Sequence, residues 1–261
     1  MAQTPQTPSP APTQTPPQSS PQAAPAPLPT LEQSFELLKG YKPGDDATVL
    51  IPIDRAVMAV HGNAATRAAL EQRLIGYLGA SHSSVARSFV CRELALIGSA
   101  ASVPAVAPLL LDDELSVFAR QALERIPGAE ADRALRDAIG KSRGRTRIGI
   151  INSVAVRRDP RSVALLVKAA SEEPEAIAAV AKALGEIGTA ESARALETFR
   201  GKGTPVQRLA VADGFLICAE RLVAAGERAQ AMKIIEPLSD ASQPAHVRLA
   251  AQRALSAAQR S

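Results

Sequence analysis

PEAIAAVAKALGEIGTAESARALETF, from Pro174 to Phe199, reads as a helix, a glycine break and a second helix. Ile177, Val180, Ala181, Leu184 and Ile187 fall at i, i+3, i+4, i+7 and i+10, one apolar stripe on a helix of period 3.6. Gly188 follows at once, and glycine tolerates the left-handed conformation that ends many helices. Thr189 is a good N-cap for the next helix, and Glu191 places negative charge in its first turn, where the helix dipole favours it. Ala193, Leu196 and Phe199 make the second stripe. Two short amphipathic helices cannot bury their faces alone, so a neighbouring pair is needed on each side.

Stepping back from Gly188 in strides of about thirty residues, the typical length of such helical repeats, finds the same break at Gly128 and Gly98. The intervening position holds Arg158, followed by Asp159 and Pro160, so a different device is expected to make that turn. Val103, Val106 and Leu110, then Leu135, then Val163, Leu166 and Val167 supply the second stripes. A looser pair runs from Pro205 to Ala225 and from Gly226 to Leu238, and Pro244 to Ala258 reads as a terminal helix. At the other end Thr30 caps a helix over Leu31 to Lys39, Pro52 starts another, and Asn63 caps a third. Ser83 or Ser84 opens the first regular unit. The organisation expected is a tail over 1–29 and an α-solenoid over 30–261. Within the solenoid, capping helices occupy 30–80, repeats 84–238 and a terminal cap 243–258.

Leu184-Gly-Glu-Ile-Gly188 before an alanine-rich helix, and Ile97-Gly98-Ser-Ala-Ala-Ser-Val103-Pro104, resemble HEAT repeats. The likeness is to the short bacterial HEAT-like type first associated with phycobiliprotein lyases, and it covers roughly Val85 to Ala258. It implies an all-α fold, a right-handed α-α superhelix, and supplies no transferable active site.

Aromatic residues are only 3% of the chain and there is no tryptophan, which disfavours aromatic cages and base-stacking platforms. No run of about twenty apolar residues exists, so no membrane span is expected. Cys91 and Cys218 lie four units apart, about 35 Å at ~8–10 Å per helix layer. That exceeds the ~7 Å a disulfide allows, so both read as small buried hydrophobes. Residues 1–29 are rich in Pro, Gln, Thr, Ser and Ala and carry no charged side chain, a composition expected to be disordered. No signal peptide is seen. Ala-Gln-Thr-Pro after Met1 nevertheless looks like the start of a mature exported chain, and an exported, periplasmic location is the expectation, with the cytoplasm as alternative.

The strongest charge feature spans Lys141 to Arg161, with seven Lys or Arg and one acid, Asp159. In HEAT stacks the helix before the break lines the concave face. On that topology Arg143, Arg145, Arg147, Arg157 and Arg158 are the candidate partner-binding residues, a strip suited to phosphate, carboxylate or an acidic protein.

No catalytic pattern is complete in the sequence. Gly140-Lys141-Ser142 resembles the end of a phosphate-binding loop, but the glycine expected five residues earlier is Leu135. His61, His82 and His246 lack metal-ligand spacing. HEAT-type iron hydroxylases carry His-Glu pairs, whereas Gly, Ser and Val follow the three histidines here. Asp112-Asp113-Glu114 reads as a helix cap rather than a calcium site. The expectation is a non-enzymatic scaffold with a protein partner, no cofactor and no metal. The alternatives are nucleic-acid binding through 141–161, in the manner of HEAT-like DNA glycosylases, and a bilin-lyase-like enzyme. A net charge of only +4 weighs against nucleic acid.

Overall fold

A computed structural model of the chain describes residues 27–260, so the tail expected over 1–29 lies almost wholly outside the described residues. Within them the protein is all-α, and the first helices follow the local signals closely. Thr30 caps α1 (Leu31–Gly40) through a capping box with Gln33. Pro52 sits in the first turn of α2 (Ile51–Ala59), where its missing N–H is harmless. Asn63 caps α3 (Ala64–Ile75) and Ser83 caps α4 (Ser84–Ile97). The series continues with α5 (Val103–Val106), α6 (Ser116–Arg125), α7 (Ala129–Ile139), α8 (Gly144–Arg157) and α9 (Val163–Glu172). It ends with α10 (Ile177–Ile187), α11 (Ala190–Glu197), α12 (Pro205–Ala224), α13 (Arg228–Ile235) and α14 (Ala245–Arg260). Asp112 does cap the turn into α6, accepting from the N–H groups of Glu114 and Leu115.

The helices sort into two layers. Each even-numbered helix from α2 to α14 packs on the next even one, and α5, α7, α9 and α11 pack in succession as the second layer. The core lies between them, with Val90 and Leu94, Ala122 and Leu123, Ile150 and Val154, and Val180 and Leu184 buried from successive even helices. Polar bonds between units have nearly one sequence separation. Arg120 donates to the Gly149 carbonyl, Ser153 to Glu124 and Arg157 to the Gly128 carbonyl, each 29 residues apart. Arg67 reaches the Gly98 carbonyl at 31 residues. Units that touch only their neighbours produce such a pattern.

The breaks differ from one another. Gly188 is left-handed at φ 64°, and Thr189 caps α11 behind it. Gly98, by contrast, leaves α4 in extended conformation at φ −61°. At the position where a different device was expected, Arg158 itself turns left-handed at φ 54° and closes α8 by donating its N–H to the Val154 and Ala155 carbonyls. A non-glycine residue there is uncommon, and the surrounding bonds must hold it.

Candidate functional site

The basic cluster does not stay together as a surface strip. Arg147 is 1% exposed; its Nε donates to the Ser142 carbonyl and its Nη1 to Glu172 Oε2, both at 2.8 Å. Arg157, the last residue of α8, turns back over the end of α6. It donates to the carbonyls of Leu123 (2.8 Å), Ile126 (2.7 Å) and Gly128 (2.9 Å) and pairs with Asp132. A cation there also meets the negative end of the helix dipole. Arg158 lies 3.5 Å from Glu186, which also receives Arg221 at 2.6 Å. Arg143 is exposed and 3.5 Å from Glu173. Arg145 alone of the five is exposed with no side-chain partner among the described residues. Helix phase explains the division: Arg147 falls on the buried side of α8 with Ile150, Ile151 and Val154, whereas Arg145 falls on the side of Val156.

The even layer carries a feature that sequence reading passed over. Asp54 of α2, Phe89, Arg92, Glu93 and Leu96 of α4, and Gln121, Glu124 and Arg125 of α6, with Leu50, line a cleft of about 740 Å³. On α4 the lining residues recur at i, i+3, i+4 and i+7, one face of the helix. Glu93 is only 7% exposed, and its carboxyl interacts with that of Asp54. Burial first, then the like charge of Asp54, push Glu93 up to about 7, while Arg92 pulls weakly the other way. Asp54, exposed at the rim, is raised as well, by the partial desolvation of its carboxyl against the charge of Arg92. Glu93 is thereby only partly ionised at neutrality. The signal was present in the sequence. Glu93 occupies a core position in the stripe Ala86, Val90, Glu93, Ile97, where an acid is out of place.

A second cleft, of about 800 Å³, adjoins the first along Leu96 and is lined by Val57, Met58, His61, Asn63 and Arg67. Met58, Leu96 and Val156 each stand two residues before the helix cap, and they are 70%, 53% and 61% exposed. The same register holds Glu124 in α6 and Glu186 in α10.

Cys91 and Cys218 are both buried and unbridged, and burial pushes each thiol up to about 12. They pack as small hydrophobes, as their spacing required.

The carboxyl pair makes stability depend on pH. The folded chain holds the Glu93 proton more tightly than the unfolded chain, whose glutamate titrates near 4.5. Unfolding therefore releases a proton between about pH 4.5 and 7, and stability falls as pH rises through that window, then levels off. Glu93→Gln is expected to flatten this slope and to raise the urea midpoint at about pH 8 above that of the unmodified chain, which denaturation at a series of pH values will check.

The arrangement defines the class: an all-α stack of helix pairs with charged and apolar clefts along one layer. No family model and no curated protein matches the chain. Among solved structures it is similar to two engineered proteins from a structural genomics consortium. The first shows 18% identity and a TM-score of 0.43, covering 87% of this chain and 68% of that one. The second shows 19% identity and a TM-score of 0.31, covering 87% of this chain and 96% of that one. Among the described residues no helix is long and apolar enough to cross a membrane.

Proposed function

We propose that this protein is a HEAT-like interaction scaffold that holds a protein partner along the exposed face of its even-numbered helices. The observation that carries the reading is one register on successive even helices, exposed and apolar at Met58, Leu96 and Val156 of α2, α4 and α8 and acidic at Glu124 of α6 between them. Exposed apolar side chains in register along one face, rimmed by charge, are the composition of a binding surface. Arg143 and Arg145 at the start of α8 add a cationic contact for an acidic group on the same partner. The composition of residues 1–29 favours an exported chain in which that segment links the stack to a larger assembly.

The test is capture of a partner from native lysate and envelope fractions by the full chain. The double variant Leu96→Glu, Val156→Glu is expected to reduce recovery at least about tenfold, since a charge buried in an apolar contact costs more than ~1.4 kcal/mol. Leu111→Glu, at an exposed position beyond α5 in the other layer, is expected to leave it unchanged. Recovery kept by the double variant and lost with Leu111→Glu would move the site to the opposite face.

A further inference from the structure

Three buried acids stand out among the described residues, and two are fully answered. Glu71 accepts from the Ser99 N–H (2.7 Å), the Ser99 hydroxyl (2.9 Å) and the Ser102 hydroxyl (2.5 Å). Asp159 accepts from Arg136, from the Ser162 hydroxyl (2.8 Å) and from the Arg161 N–H (3.2 Å). Glu93 is different. Among the described residues it has no ion pair and no N–H donor, and its hydrogen-bonding partner is a second carboxyl, that of Asp54. A buried acid without a cation is costly, and this one opens onto a cleft rather than onto the core.

We infer that the cleft between α2, α4 and α6 receives a basic side chain, lysine or arginine, of the bound protein segment, with its cationic head between the Asp54 and Glu93 carboxyls. The inference rests on the scaffold reading above. The walls suit the guest: Phe89, Ala95 and Leu96 offer apolar surface to the methylene stem, and the same cleft presents the two carboxyls to its head.

The charged groups facing the pair come from three helices: Asp54 itself on α2, Arg92 and Glu93 on α4, and Glu124 and Arg125 on α6. Gln121 is neutral, and the turn before α2 contributes only Ala47 and Leu50. Glu124 is engaged by the Ser153 hydroxyl at 2.7 Å. Arg92 lies 5.7 Å from the Phe89 ring and forms no ion pair with either carboxyl. With both carboxyls ionised, the lining sets the three acids Asp54, Glu93 and Glu124 against two cations, Arg92 and Arg125, and is short of one positive charge. A cation there favours the ionised form of Glu93, which burial otherwise opposes, so binding strengthens as pH rises through neutrality.

The test uses N-acetyl-lysine methylamide as probe, with the norleucine and glutamate analogues beside it, followed through amide shifts of the isotope-labelled full chain. The lysine probe is expected to saturate in the millimolar range, with shifts at Asp54, Glu93, Leu96 and Gln121, and the norleucine probe to give none there. Affinity is expected to weaken about tenfold in Asp54→Asn, Glu93→Gln and several-fold on going from about pH 8 to 5.5. Arg92→Gln, which removes a competing cation and leaves the pair intact, is expected to tighten the lysine probe. Equal response to norleucine, retention by the double variant, or saturable binding of the glutamate probe through Arg92 and Arg125 would each overturn the inference. A failed probe alongside a partner still lost with Leu96→Glu, Val156→Glu overturns the cleft assignment alone and leaves the scaffold reading in place.

Discussion

Gly214→Val is expected to lower the unfolding free energy by about 3 kcal/mol or more, among the largest single-residue effects in the chain. Helices α10 and α12 cross with almost no space between their backbones. A Cβ on Gly214 would stand 2.6 Å from the Ala181 carbonyl oxygen, and one on Gly185 would stand 2.7 Å from the Gly214 carbonyl oxygen. Both obstacles are main-chain atoms, so no rotamer change relieves them. Glycine inside a helix costs about 1 kcal/mol against alanine, and close approach outweighs that cost here. Separating the two helices would also open the core around Leu184, Phe215 and Cys218. Because each unit rests on its neighbours, loss should spread from α12 toward α13 and α14. Gly140→Ala is the control: nothing lies within 4 Å of its Cβ, and its stability should change by no more than about 0.5 kcal/mol. Urea denaturation of the pair decides the matter, and equal midpoints would mean that the crossing is looser than its geometry.

Arg157→Ala is the second large loss, expected at about 2–4 kcal/mol. The guanidinium closes the end of α6 through the Leu123, Ile126 and Gly128 carbonyls and neutralises Asp132. Its removal leaves several acceptors without a donor on partly buried backbone. Arg157→Lys should recover only part of the loss, because an ammonium cannot fan three donors across separated carbonyls in one plane. Arg145→Ala, in the same basic cluster but exposed and without a side-chain partner, should fall within about 0.5 kcal/mol of the parent. Hydrogen exchange at the last turn of α6 gives the local readout: it should speed in Arg157→Ala and stay unchanged in Arg145→Ala.

Sequence by itself determined the all-α class, most helix starts, the stride of about thirty residues and the buried character of both cysteines. Those features depend on caps and on a 3.6-residue period, which act within a few residues of the chain, as Thr30, Asn63, Ser83 and Thr189 illustrate. Only the tertiary structure decided which of five neighbouring arginines turn inward, because Arg145 and Arg147 differ only by rotation about one helix axis relative to partners 25 or more residues away. It also decided that Arg158 takes the left-handed turn while Gly98 does not, since each break also meets a side chain of another unit, Glu186 at Arg158 and Arg67 at Gly98. The meeting of Asp54 with Glu93 belongs to the same class. Glu93 announces itself locally as an acid in a core stripe, but its partner is set by how α2 crosses α4, a relation between faces that no local pattern encodes.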